Sequence, residues 1–154
     1  MPEEHRASQT QIPVKLYIKT VIYHPESTEP EKYELIVFGQ YQRTATASYL
    51  RYQEVLEAGT VNTTVKIAHN DREMMILRNG AIKMRMVFRP NTPVSGTYHA
   101  PHGYMEIVTE AKSFAHEHNN NTNEGTIKLK YDLSMQETLA GTYNLEIKYK
   151  EERK

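Results

Sequence analysis

From Val14 to Lys150 apolar and polar residues alternate with a period of two, the spacing of strands that bury one face. Val14, Leu16, Ile18, Thr20 and Ile22 interleave with Lys15, Tyr17, Lys19 and Val21. The same beat runs through residues 33–42, 48–55, 60–69, 72–78, 81–89, 94–99, 104–114, 126–135 and 138–150. Turn residues separate these runs: His24-Pro25 through Pro30, Ala58-Gly59, Asn70-Asp71, Asn79-Gly80, Pro90 through Pro93, Pro101-His102-Gly103 and Asn119 through Gly125. The best helical candidate, YLRYQEVLEA at 49–58, reads equally well as a strand. Connections this short exclude parallel crossovers, which need a dozen or more residues, so the strands form an antiparallel meander. A sheet of about eight to ten strands curls, and closure removes its edges. The pattern therefore predicts an all-β, up-and-down barrel over residues 13–150. A β-sandwich is the alternative, residues 1–12 form a flexible tail, and the terminal KEERK frays.

Asn79-Gly80 is the strongest hairpin signal, because a two-residue type I′ turn needs positive φ at both centres. Such a turn sets Leu77 opposite Ile82, Met75 opposite Met84 and Met74 opposite Arg85. Leu77, Ile82, Met75, Met84, Met86 and Phe88 then form the core face. Arg78, Ile76, Lys83, Met74, Arg85, Val87 and Arg89 share the other. No Asp or Glu occurs from Met74 to Met105, so this hairpin concentrates positive charge. The plain reading is a solvent face whose Lys and Arg stems cover a few apolar neighbours; two functional readings stand beside it. In the first, the barrel binds a small amphipathic or anionic ligand, with Arg78, Lys83 or Arg85 as countercharge and Tyr98 and Tyr104 as aromatic contacts. In the second, Met74, Ile76, Val87 and Arg89 form an interface with another protein or a second copy, as a homodimer, without a ligand.

Composition narrows the rest. The 154 residues contain no cysteine, which removes disulfide and thiolate chemistry. Nineteen basic and nineteen acidic residues cancel, so no membrane is expected as a partner. The hairpin cations lie near Tyr98 and Tyr104 in sequence, but a pI of about 7.1 is low for a nucleic-acid binder, and nucleic acid is not an expected partner either. The opening MPEEHRASQTQIP has no apolar run, and no window reaches the roughly 20 apolar residues of a spanning helix; a cytoplasmic location is the expectation. His99-Ala-Pro-His102 and His116-Glu-His118 resemble metal ligands, but their spacing defines no rigid set, and neither metal nor cofactor is expected. There is no Gly-x-Ser-x-Gly elbow and no phosphate loop, and enzymatic chemistry is not expected. Glu106, Glu110 and Asp132 are the carboxylates an acid–base pair would draw on, though Glu106 and Glu110 alternate with apolar residues as any outward face does. Eleven tyrosines, spread over nearly every strand, suit half-buried positions with wet hydroxyls.

RNGAIKMRMVF (78–88), preceded by YLRYQE (49–54) and TTVKI (63–67), resembles the YwiB-like family of small uncharacterised proteins of bacilli and related Gram-positive bacteria. So does GTYHAPHGYMEIVTEAKS (96–113), followed by GTIKLKYDLSM (125–135). The resemblance covers about Val14 to Tyr149 and implies a calycin-type, lipocalin-like barrel in the cytoplasm. It implies no activity, cofactor or site residue. The chain departs from the family in its proline-bearing first turn and its Asn-rich loop at 119–123, and it lacks the tryptophan of the secreted lipocalin signature.

Overall fold

The computed structural model describes residues 11–152. Among them ten strands follow in chain order: β1 (Gln11–Tyr23), β2 (Glu31–Arg43), β3 (Ala47–Leu56), β4 (Gly59–Ala68), β5 (Met74–Gly80), β6 (Lys83–Phe88), β7 (Pro93–Ala100), β8 (Gly103–Asn119), β9 (Glu124–Met135) and β10 (Thr138–Glu151). Each pairs antiparallel with its neighbours in sequence, and β10 pairs with β1 from Val14↔Glu151 to Tyr23↔Thr142, which closes the ring. The expected meander barrel is thus what the chain forms. β1 begins at Gln11, so residues 11 and 12 belong to the wall rather than to the expected tail; residues 1–10 lie outside the described residues. At the other terminus the ladder extends through Glu151, past the start of the stretch expected to fray.

The alternation sends one residue in two into the barrel. Val14, Leu16, Leu50, Val65, Phe88, Ile107 and Ile147 meet there without measurable exposure and fill its middle. Each such side chain contributes about 1.5–3 kcal/mol relative to an exposed one. The wall is not uniformly paired. β2 and β3 pair only from Gly39↔Tyr52 to Arg43↔Ser48, so residues 31–38 of β2 pair with β1 alone and residues 53–56 of β3 with β4 alone. Gly39 makes the last pair before the split, and a Cβ there would run into the carbonyl oxygen of Arg51. β6 and β7 share three pairs, and β6 is held to β8 instead where Thr109 Oγ1 donates to the Val87 carbonyl at 2.6 Å.

The β5–β6 connection differs from the expected two-residue turn. Observed pairs are Met74↔Phe88, Met75↔Val87, Ile76↔Met86, Leu77↔Arg85 and Arg78↔Met84. β6 presents Met84, Met86 and Phe88 inward as expected, whereas β5 is reversed: Met74, Ile76 and Arg78 face in, and Leu77 is 39% exposed. Gly80 explains the change. It still pairs with Val61 on β4, its φ is +140°, and a Cβ would strike the Thr60 carbonyl, which accepts a hydrogen bond from Ala81 N at 3.0 Å. The glycine serves a close approach to β4, and the chain reverses beyond it.

The two-residue turn with two positive φ values lies instead at Gln136 (51°) and Glu137 (66°), between Met135 and its partner Thr138. Left-handed backbone at a non-glycine residue costs roughly 1–2 kcal/mol. Replacing Gln136→Asn together with Glu137→Gly is therefore expected to stabilise the barrel by about 1–2 kcal/mol. A urea titration would report this as a higher midpoint at unchanged slope; an unchanged or lower midpoint would contradict it.

Candidate functional site

Several inward faces are apolar in the middle and polar toward the ends. On β3 they read Ser48, Leu50, Tyr52 and Glu54; on β5, Met74, Ile76 and Arg78. The barrel consequently has a different polar cluster at each end.

One end is closed. Tyr149 extends over the bare backbone of Gly125, its hydroxyl 2.8 Å from Nε2 of His116 and 2.9 Å from Nδ1 of His118. A hydroxyl can donate to only one ring, so the other ring donates to it. Tyr41 stacks on His118 at 4.6 Å and on Tyr149 at 5.3 Å, and its hydroxyl lies 3.1 Å from Ser48 Oγ. Ser48 Oγ in turn lies 3.0 Å from His69 Nε2, while His69 Nδ1 is 3.4 Å from the Ala45 carbonyl. That carbonyl can only accept, so Nδ1 donates to it. Although a serine touches a histidine here, Ser48 is completely buried, and the network's evident work is to satisfy polar groups while capping the core. Burial, and secondarily the neighbouring His118, lower the pKa of His116 to about 4.

At the other end the pairing of polar groups is incomplete. Arg78 reaches across β4 so that Nη2 donates to Glu54 Oε1 at 3.0 Å, and Thr63 Oγ1 donates to the same oxygen at 3.1 Å. Arg78 Nε is buried without a hydrogen-bond partner, although the side chain as a whole is 21% exposed. A guanidinium has five N–H donors, and Glu54 uses only part of that capacity. Around the pair lie half-buried Tyr52, Met84, Tyr98, Met135 and Tyr143, with Leu35 and Val37 at the unpaired stretch of β2. Tyr131 stacks on Tyr143 at 5.0 Å and forms the floor with Phe88. Burial raises the pKa of both Tyr52 and Tyr131, so their phenols stay protonated and able to donate. At the rim Glu31 joins His24 and Tyr33, and His24 Nδ1 approaches the Ala140 carbonyl at 3.3 Å, tying the β1–β2 connection to β10.

Of the residues expected to bind a ligand, Arg78 and Tyr98 face inward at this end, linked through the pairs Arg78↔Met84↔Tyr98. Lys83, Arg85 and Tyr104 face outward. The expected exterior face does not form. Met74 is 1% and Ile76 6% exposed inside the barrel, because the longer β5–β6 connection exchanges the faces of β5. Val87 is buried as well, and Arg89 is occupied by Glu73 at 2.9 Å. His99 packs edge-on against Tyr104, and among the described residues no three His, Asp or Glu side chains converge as metal ligands. Sequence reasoning missed Glu54, Tyr52 and Thr63. The one available signal was their alternation with Gln53, Val55, Asn62 and Thr64, and it becomes usable only once β3, β4 and β5 are in register.

Residues 16–147 match a family described as a domain of unknown function, DUF1934. The chain belongs to that family. It is 28% identical over 137 residues to the uncharacterized β-barrel protein YwiB of Bacillus subtilis (strain 168), covering 89% of this chain and 92% of the relative. The crystal structure of the ywiB protein from Bacillus subtilis superposes with a TM-score of 0.83 at 26% identity, over 96% of this chain and 98% of that one. Family membership thus agrees with the ten-stranded closed barrel and carries no activity with it.

His116 generates a pH dependence. Above its unfolded value of about 6.5, both folded and unfolded chains carry the ring neutral. As pH falls from there toward about 4, the unfolded chain takes up a proton that the barrel resists, so stability declines across that window and levels off below it. Urea midpoints between pH 7 and pH 4 should fall for the native chain and fall less steeply for His116→Gln. Parallel slopes would remove His116 as the cause.

Proposed function

We propose that this protein is a binding module that takes a small amphipathic anion at the Arg78 end of its barrel. The observation that carries the reading is Arg78: a cation inside an apolar wall, with one donor on Glu54 and a buried Nε that has no partner. A buried donor without an acceptor costs about 1–3 kcal/mol, which a carboxylate or phosphate oxygen placed against it would recover. The split between β2 and β3 supports the route of access, since half-buried Leu35 and Val37 line it and lead to Tyr52 and Glu54. Apolar contact with Met84, Met135 and the rings of Tyr98 and Tyr143 suits a hydrocarbon tail, while the phenol hydroxyls offer further donors. The filled middle of the barrel limits such a ligand to that end rather than the full bore.

Decanoate, decanol and decyltrimethylammonium share a tail and differ in head charge. Calorimetric titration is expected to give binding for decanoate alone, weakened at least tenfold by Arg78→Gln. It should be strengthened by Glu54→Gln, because Glu54 competes for the same guanidinium. Equal binding of decanol and decanoate, or no effect of either substitution, would defeat this reading.

A further inference from the structure

We infer that the outer wall formed by β3 to β7 binds single-stranded nucleic acid. The chain as a whole is neutral, but the register segregates its charge. Between Ala47 and Ala100 the acidic residues are Glu54, Glu57, Asp71 and Glu73. Glu54 points inward onto Arg78, and the other three lie in the connections between strands. The outward positions of five consecutive strands therefore carry no carboxylate. They do carry Arg51, Lys66, Lys83 and Arg85, and among the described residues none of these has a carboxylate within ion-pair distance.

Their arrangement follows from the pairing. Arg51, Thr64, Leu77 and Arg85 form one row across β3, β4, β5 and β6, so the two arginines stand three strand spacings, or about 14 Å, apart. Lys66 and Lys83 each lie two residues along their strands from that row. Arg51 sits over the Tyr49 ring at 4.9 Å, and at the far side Tyr104 is 59% exposed beside His99. Cations spaced by Thr64 and Leu77, with an aromatic ring at the margin, match a partner whose charges are spaced along a thread and whose bases can stack. A protein interface would need an apolar centre, and Leu77 is the wall's large exposed apolar residue away from its strand ends. A duplex would touch a convex sheet only along a line. The opposite wall is different in kind: Lys128 pairs with Glu146 at 3.8 Å, Lys19 faces Glu34, and an open groove of about 970 Å³ mixes Lys15, Lys148 and Lys150 with Glu117 and Glu124.

The test is fluorescence anisotropy of labelled U20 RNA between 50 and 200 mM KCl. Each phosphate neutralised on a single strand contributes about −0.7 to the slope of log K against log salt, so four cations give about −3. The native slope should fall to about −1.4 in the double variant Lys83→Gln, Arg85→Gln, and likewise in Arg51→Gln, Lys66→Gln. Changing Lys15→Gln and Lys148→Gln on the opposite wall should leave it unaltered. Absence of binding at 50 mM KCl, or a slope insensitive to both wall variants, overturns the proposal. So does polyglutamate displacing the RNA as well as unlabelled U20 does, which would assign the wall to acidic proteins.

Discussion

Closure of the ring by the β1–β10 ladder is the constraint on which everything else rests. In an antiparallel sheet a slip of one residue moves every side chain of a strand to the other face. In an open sheet such a slip is local, but in a closed one it must be carried around all ten strands. The inward set on β1 therefore dictates the inward set on β5, four strands away around the ring through β2, β3 and β4. Arg78 faces inward for this reason: Thr63 and Tyr52 are its successive partners across the sheet, and each is fixed by the next. A cation at that position is a consequence of topology that its own neighbours in sequence do not announce.

The two ends of the barrel resolve the same difficulty in opposite ways. At both, inward polar groups meet a hydrophobic core and require partners. Around Tyr149 they find one another, and the rings of Tyr41, His118 and Tyr149 stack together. Around Arg78 they do not find enough acceptors, because Met84, Met135 and Tyr98 supply apolar surface where further acceptors would be needed. The first end is chemically complete and the second is not, although both are built from the same alternating strands.

Much of this was legible in the sequence. The strand runs, the short connections and the inward set of β6 followed from period and turn chemistry alone. The face of β5 did not, because Asn79-Gly80 is also what a chain needs when its backbone must pass close to Thr60, and the two uses leave the same residues. Conversely, Gln136-Glu137 holds the tight turn with residue types that advertise nothing, the flanking β9–β10 ladder imposing the conformation. Charge behaved similarly. An acid-free stretch was visible from Met74 to Met105, but only pairing reveals that β3 and β4 extend it by turning Glu54 inward.

The split beside Gly39 has a further consequence. Residues 31–38 of β2 offer a row of backbone donors and acceptors unclaimed by β3, and such rows recruit strands from other molecules during crowded folding or storage. This stretch carries Glu31, Lys32 and Glu34 directly after Pro30, while its apolar Ile36 and Phe38 sit next to the point where β3 resumes. Charge thus guards the most open part of the gap, whereas Ile36 and Phe38, 55% and 60% exposed, lie toward the point where pairing with β3 resumes. The breach in the wall carries its own charged deterrent to pairing with a strand of another molecule.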